Sequence, residues 1–150
     1  MWRARPSTLA ILVAVAGLTL PACGILYGRP MKVEHASGVT STGVRWRDQL
    51  RGLGPPAEPD SVVLIHYTAR LKSGEEVDST HGRGLPETID LSEPAILGLA
   101  DGIVGMRAGG RRAIVVPPHR AFGHVGVEGL VPPDAPLRFE IELIEIHREE

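Results

Sequence analysis

The sequence predicts an α+β domain in which a curved antiparallel β-sheet wraps around one short α-helix. Three observations lead to this fold class. Apolar and polar residues alternate in several segments, which is the pattern of half-buried strands. Only one segment has apolar residues at helical spacing, and clusters of glycine and proline separate the segments as turns do.

Alternation of apolar and polar residues predicts the strands in chain order. They are residues 44–47, 62–71, 76–79, 113–116 and 137–146. We expect the first of them at an edge of the sheet, followed by turn material at 52–60. In the second, Val63, Ile65 and Tyr67 share one face with period two. In the last, Leu143 and Ile144 break the alternation, which predicts a β-bulge or a change of face.

The single helix is predicted to begin at Ser92 and to end near Gly102 and Gly105. A serine suits the N-cap, and Glu93 and Pro94 are both favourable in a first turn. The apolar residues that recur at helical spacing are Ile96, Leu99, Ala100 and Ile103. An apolar concavity is therefore expected between this helix and the sheet.

Residues 1–23 have the order of a secretory signal peptide. Arg3 and Arg5 give a positive start, an almost unbroken apolar run extends from Leu9 to Leu20, and Pro21-Ala22-Cys23 ends it. The run is shorter than the roughly 20 apolar residues that a membrane-spanning helix needs. A signal peptide is therefore the favoured interpretation.

Leu20-Pro21-Ala22-Cys23 resembles a bacterial lipobox, and Cys23 is the one cysteine of the chain. The resemblance implies cleavage before Cys23 and lipidation of its thiol, which would hold the protein at a membrane surface. By similarity to bacterial lipoproteins, Gly24 favours sorting to the outer membrane of the cell envelope, with the domain facing the periplasm. A structural or reactive thiol and an uncleaved N-terminal anchor are the alternatives.

The remaining chain divides into a tether and one domain. Residues 24–42 have no sustained periodicity and predict a flexible tether, and residues 43–147 form the domain. The chain has a formal charge of −2, and removal of Arg3 and Arg5 would leave 14 basic and 18 acidic side chains. This balance argues against nucleic-acid binding. The tether is too short and too broken for a dimerisation helix, so a monomer is expected.

Several segments from residue 66 onwards stand in a specific order. They are HYT at 66–68, VDS at 77–79, GMRAGGRRAIVVPP at 105–118, AFG at 121–123 and LVPPDAPLRFEIEL at 130–143. Together they resemble the FKBP family of peptidyl-prolyl cis-trans isomerases, the immunophilins that bind rapamycin and tacrolimus. The likeness runs from about Gly43 to Ile146, and it implies the same sheet-and-helix fold.

The resemblance also implies a site. Its catalytic residues would be Tyr67, Asp78, Ile96, Leu99, Phe122 and Phe139, and its substrate-binding residues Val77, Arg83, Glu87, Ala95, Val127, Leu130 and Val131. Asp78 would accept hydrogen bonds from Tyr67 and Arg83. The Ile96 N–H would receive a substrate carbonyl, and Leu99 would form the floor. On spacing alone, ordinary core packing is an alternative for the apolar members, and a turn-capping role is an alternative for Asp78.

The chain departs from well-studied active members of the family. They have a tryptophan in place of Leu99, aromatic rings in place of Val77 and Glu87, and a tyrosine in place of Phe122. The resemblance therefore implies weaker binding and weaker turnover.

The predicted function is isomerisation of X-Pro bonds in unfolded or refolding envelope proteins, by desolvation in an apolar pocket. Macrolide binding is a further expectation. The alternatives are a weakly active or inactive binding module that acts as a chaperone, and a structural envelope lipoprotein. The histidines, acids and glycines show no metal-ligand spacing and no nucleotide loop, so no cofactor or metal is expected.

Overall fold

The structure is a computed structural model of the chain, and it describes residues 35–147. Its strands are β1 (Ser37–Val39), β2 (Arg45–Leu50), β3 (Leu53–Pro56), β4 (Val62–Leu71), β5 (Glu76–Ser79), β6 (Glu87–Asp90), β7 (Arg107–Ala108), β8 (Arg111–Val116) and β9 (Leu137–His147). Two α-helices, α1 (Thr80–Arg83) and α2 (Leu97–Ile103), and a 3₁₀ turn (Pro118–Arg120) complete the described part.

Seven of these strands form one antiparallel sheet. Its order is β1-β2-β8-β9-β4-β5, and β6 also pairs with β4. Strands β5 and β6 share one side of β4: β5 pairs with Thr68–Arg70, and β6 pairs with Val62–Ile65. The short strands β3 and β7 pair separately. The predicted fold class is confirmed.

The strand predicted at residues 44–47 is not an edge strand. It is β2, and β1 pairs along its outer side with Val39 opposite Arg45. Strand β1 also lies inside the segment 24–42 that was predicted as a tether, so the described domain begins before Gly43. Three residues are too few for an alternating pattern, so β1 could not be predicted from the sequence.

The longest strands agree with their sequence patterns. Strand β4 has the predicted bounds, and β9 extends one residue further than expected. In the β4–β9 ladder Leu64 pairs with Glu145 and Ile65 pairs with Leu143, which leaves Ile144 as the extra residue of a bulge. The predicted break in alternation is therefore confirmed as a β-bulge.

Helix α2 begins later than predicted. Its N-cap is Ile96 in an extended conformation, whereas Ser92 donates its hydroxyl to Asp90 Oδ1 at 2.6 Å. Gly102 remains inside the helix, where a Cβ would lie only 2.6 Å from Ile114 Cδ1. This glycine lets the helix pack closely on strand β8.

The core lies between the helix and the concave face of the sheet. Its fully buried side chains include Val63, Ile65, Ile103, Ile114, Leu137, Phe139 and Leu143. Ile103 belongs to α2, and the others alternate along β4, β8 and β9, as period-two patterning requires. Among the described residues, no helix is long and apolar enough to cross a membrane.

Candidate functional site

A groove of about 420 Å³ opens beside α2 and strands β4 to β6. Seven residues predicted for the site line it: Tyr67, Asp78, Glu87, Ala95, Ile96, Leu99 and Phe122. They come from β4, β5, β6, the segment before α2, α2 itself and the loop after the 3₁₀ turn. The fold thus brings together residues that are up to 55 positions apart in the chain.

One wall of the groove is held by hydrogen bonds around Tyr67. The Tyr67 hydroxyl donates to Asp78 Oδ2 at 2.5 Å and lies 3.3 Å from Glu87 Oε2. Arg83 binds both carboxylates, with 3.1 Å between Nη1 and Asp78 Oδ1 and 2.6 Å between Nη2 and Glu87 Oε2. Its guanidinium carbon also lies 5.9 Å from the centroid of the Tyr67 ring.

The pKa values of Tyr67 and Arg83 in this wall reflect burial and nearby charges. Burial raises the pKa of Tyr67 to about 12, and the hydrogen bond to Asp78 adds to the effect. The pKa of Arg83 is raised chiefly by its hydrogen bond to Tyr67, and further by the nearby carboxylates. At neutral pH Tyr67 is therefore a neutral donor and Arg83 is a cation.

Asp78 has both of the roles that the sequence left open. Its Oδ2 accepts from Tyr67, and its Oδ1 accepts from the Ser79 N–H at 2.8 Å, as a turn-capping aspartate does. Its side chain is 42% exposed, so it is less buried than a position beside a buried strand suggests. Solvent therefore screens its pairing with Arg83.

The floor of the groove is apolar. Leu99 is 5% exposed, and the partly buried Ile96 and Phe122 pack against the same core. The Ile96 carbonyl accepts from Leu99 N at 3.0 Å, while the Ile96 N–H has no hydrogen-bond partner among residues 35–147. A substrate carbonyl can therefore pair with this N–H.

Six of the predicted site residues lie elsewhere. Phe139 is fully buried behind Tyr67, with 6.0 Å between the ring centroids. Val77 packs against the core, and Arg83 lies beside the groove without lining it. Val127, Leu130 and Val131 line a separate cavity of about 630 Å³ together with Leu71 and Pro132.

The local backbone explains the separate cavity. Val127 and Val131 form an isolated β-bridge, and the Val127 N–H donates to the Val131 carbonyl at 2.8 Å. This closed turn directs Val131 into the core, where it is 3% exposed. Substrate binding by this loop stays a prediction.

Five groove residues were not predicted from the sequence. They are Thr88, Ile89, Asp90, Glu93 and Pro94. Strand β6 and the segment after it hold them, and neither has a pattern that distinguishes a groove wall from a surface loop. They reach the groove because β6 pairs with β4, and this long-range pairing cannot be recognised from the local sequence.

Residues 35–147 contain no group of three His, Cys, Asp or Glu side chains that could hold a metal ion. His119 and His124, which lie five positions apart in the chain, have different partners. His119 Nε2 lies 3.1 Å from the Thr42 carbonyl, and His124 pairs with Asp134.

The fold and the groove agree with a known family. A family model described as FKBP-type peptidyl-prolyl cis-trans isomerase matches residues 54–144. The chain belongs to this family, so the predictions of fold and of isomerase function are confirmed. The rotation of X-Pro bonds needs no nucleophile or metal, which fits the groove.

Individual relatives extend the comparison. The chain is 34% identical over 106 residues to an FK506-binding protein of Neisseria meningitidis, covering 70% of this chain and 97% of that one. It is 30% identical over 120 residues to the isomerase FkpA of Escherichia coli, covering 80% of this chain and 44% of FkpA.

Solved structures show the same fold. The crystal structure of FkpA from Escherichia coli superposes with a TM-score of 0.68 at 31% identity, covering 73% of this chain and 51% of that chain. The N-terminal domain of FKBP42 from Arabidopsis thaliana gives a TM-score of 0.72 at 28% identity, with coverages of 80% and 98%.

Proposed function

We propose that the groove between α2 and strands β4 to β6 is the site at which this isomerase rotates X-Pro bonds of refolding polypeptides. The observation that carries the proposal is the combination of an apolar floor at Leu99 with an N–H on Ile96 that has no partner within residues 35–147. A proline ring fits the first, and a carbonyl next to it fits the second. Tyr67 forms a fixed wall on the β4 side.

The chemistry follows from the amide bond. Rotation is slow because the amide must lose its resonance, at a barrier of ~18–20 kcal/mol. The planar amide is more polarised than the twisted one, so a dry apolar site disfavours the ground state relative to the transition state. The groove therefore needs shape and exclusion of water rather than an acid or a base.

A second candidate function is a binding module that holds extended or proline-containing segments as a chaperone. Phe122 favours it, because this ring offers no hydroxyl to a bound backbone. Glu87 favours it as well, since it places a charge paired with Arg83 at the groove. Both residues weaken ligand contacts without closing the groove.

A peptide isomerisation assay separates these functions. We expect the full-length chain to accelerate cis-to-trans conversion of a Leu-Pro peptide, equally with and without a chelator. Leu99→Ala should lower kcat/KM by about tenfold, whereas Leu143→Ala, an equally buried leucine outside the groove, should change stability alone. Both variants are compared below their melting temperatures. Absence of acceleration by the wild type would favour the binding module.

We also propose that the protein is a lipid-anchored monomer of the bacterial envelope, at the outer membrane facing the periplasm. The lipobox-like Leu20-Pro21-Ala22-Cys23 supports this, as does the apolar run before it. These residues, the signal peptide 1–23 and most of the tether lie outside the described residues. A clickable fatty acid should label the wild type and not Cys23→Ser, and equal labelling of both would contradict the anchor.

Macrolide binding is proposed from the relatives. Those from Neisseria meningitidis are named FK506-binding protein. The groove of this chain offers the apolar floor that a bulky apolar ligand needs. With Leu99 and Phe122 in place of larger or more polar aromatic residues, binding should be weaker than in members with the full aromatic set.

A further inference from the structure

The groove has an excess of negative charge on its wall. Asp78, Glu87, Asp90 and Glu93 line it, and none of the described residues that line it is basic. Arg83 lies beside the groove and is shared between the first two carboxylates. The groove is therefore anionic even with this cation counted.

The opposite face of the sheet carries basic and acidic residues together, and Arg70 and Arg138 pair there with Glu76 and Glu140. Arg70 and Arg138 alternate with the inward-facing Tyr67 and Phe139, and with Arg45 and Lys72 they surround a different cavity. The charges of that face are thus largely paired, whereas the lining of the groove has an excess of acids. A cationic segment would be drawn towards the groove face.

Asp90 and Glu93 are the two groove carboxylates that pair with no cation in the described part of the chain. Asp90 Oδ1 accepts from the Ser92 N–H at 2.8 Å and from the Ser92 hydroxyl at 2.6 Å. These bonds lower the pKa of Asp90, so it is ionised at neutral pH. The Glu93 carboxylate makes no hydrogen bond or ion pair with another residue of 35–147, and both residues are exposed.

The two carboxylates are also close in sequence to Ile96, whose N–H is proposed to bind the substrate backbone. Glu93 precedes Ile96 by three residues, and Asp90 ends strand β6. A backbone held at the Ile96 N–H would pass this segment. A lysine or arginine beside the proline could lay its aliphatic stem along the apolar floor and extend its charge to the carboxylates.

We propose that Asp90 and Glu93 determine substrate specificity, so that the enzyme prefers X-Pro bonds flanked within two residues by lysine or arginine. This inference rests on the proposed function of the groove. Because both carboxylates are exposed, the preference is modest: roughly two- to tenfold in kcat/KM for a lysine over a glutamate at the same position. Salt should weaken it, since the screening length falls from about 10 Å at 0.1 M to about 3 Å at 1 M.

The test uses three peptides that differ only in the residue next to the X-Pro pair, which is lysine, leucine or glutamate. Isomerisation by the full-length chain is measured at 0.05 M and 1 M salt. The variant Asp90→Asn with Glu93→Gln keeps the acceptor for Ser92 and removes both charges. The matched control, Asp60→Asn with Glu145→Gln, removes two exposed acids that do not line the groove.

For the wild type and the control we expect isomerisation to be fastest for the lysine peptide, slower for leucine and slowest for glutamate. The differences between the three rates should be smaller at 1 M salt. The groove variant should turn over all three peptides at about the rate of the leucine peptide, with an unchanged melting temperature. Equal rates of the wild type on all three peptides would overturn the inference and leave the proposed function intact. Failure to turn over any of them would overturn both.

Discussion

The Tyr67 hydroxyl lies 2.5 Å from Asp78 Oδ2, and this hydrogen bond links strand β4 to its neighbour β5 at the groove. Tyr67 is in the middle of β4, and Asp78 is on β5, where it pairs with Ala69. The same phenol ring contacts Phe139 from the core side. One hydrogen bond therefore fixes the position of the ring between the core and the site.

The first prediction concerns the loss of this bond. Asp78→Ala should lower the free energy of unfolding by about 1 kcal/mol, because the Tyr67 hydroxyl loses its acceptor while remaining within reach of Glu87 and solvent. Turnover should fall as well, since the wall loosens. Asp78→Asn keeps an acceptor for the Tyr67 hydroxyl and should therefore lose less stability and less activity than Asp78→Ala. Urea unfolding and the peptide assay measure the two effects.

Glu76→Ala is the matched control for Asp78. Glu76 lies on the same strand, has a 47% exposed side chain and pairs with one arginine, Arg70, on the other face of the sheet. Its removal should change stability by less than about 0.5 kcal/mol and leave turnover unaltered. If Asp78→Ala behaves like Glu76→Ala in both measurements, Asp78 is an ordinary surface turn residue.

The second prediction is a pH dependence from Tyr67. Its pKa is about 12 in the folded protein, against about 10 in an unfolded chain. The folded state therefore keeps a proton that the unfolded state has released between these values. This contribution to stability is complete below pH 10 and is lost as the pH rises through 12.

Tyr67→Phe isolates that contribution. Urea unfolding from pH 9 to 12 should show the wild type losing its stability advantage over the variant across this range, because the other titrating groups are common to both proteins. Parallel stability curves over the whole range would show that Tyr67 titrates in the folded protein as it does in the unfolded chain.

The sequence predicted the parts of this site that have local or motif signals. The bounds of β4 and the bulge at Ile144 follow from alternation, and the placement of Tyr67, Asp78 and Leu99 at one groove follows from the family resemblance. Strand β6 had no such signal, because its pairing with Val62–Ile65 is made by tertiary contacts.

The start of the helix was misplaced for a related reason. Ser92 is a good N-cap by residue type, but its hydroxyl and N–H both bind Asp90, so the chain turns before the helix begins. Asp90 ends strand β6, whose pairing with β4 places it at the groove wall. A side chain that prefers local hydrogen bonds competes with the cap, and sequence spacing alone does not decide between them.

The third prediction concerns the buried Arg112. Its Nε lies 2.5 Å from Asp48 Oδ1, its Nη1 donates to the Gly102 carbonyl of α2 at 2.9 Å, and its side chain is 6% exposed. The guanidinium carbon lies 4.3 Å from the centroid of the Trp46 ring. The Arg112 side chain therefore connects strands β2 and β8 to helix α2, which carries Leu99.

Arg112→Lys should cost about 2–3 kcal/mol of unfolding free energy, because one ammonium cannot replace the planar fork that binds Asp48, Gly102 and the ring together. Arg111→Lys is the control: its side chain is 56% exposed and pairs with Glu142 at 3.0 Å, so its cost should stay below about 0.5 kcal/mol. Similar melting curves for the two variants would contradict a joining role for Arg112.

The last prediction tests whether Leu99 and Phe122 line the ligand site. The two side chains face a groove of about 420 Å³, which leaves room for a larger floor. Leu99→Trp adds apolar contact worth ~1–2 kcal/mol at about 25 cal/mol per Å². Phe122→Tyr adds one hydrogen-bond donor, worth roughly 0.5–1.5 kcal/mol.

Each ~1.4 kcal/mol is a tenfold change in affinity, so the double variant should bind a macrolide such as FK506 at least tenfold more tightly than the wild type, as measured by calorimetry. Leu53→Trp adds the same ring at an 83% exposed position and should leave affinity unchanged. A double variant that keeps its melting temperature and binds no better would show that Leu99 and Phe122 are core residues. The site that the family resemblance implies would then be wrong.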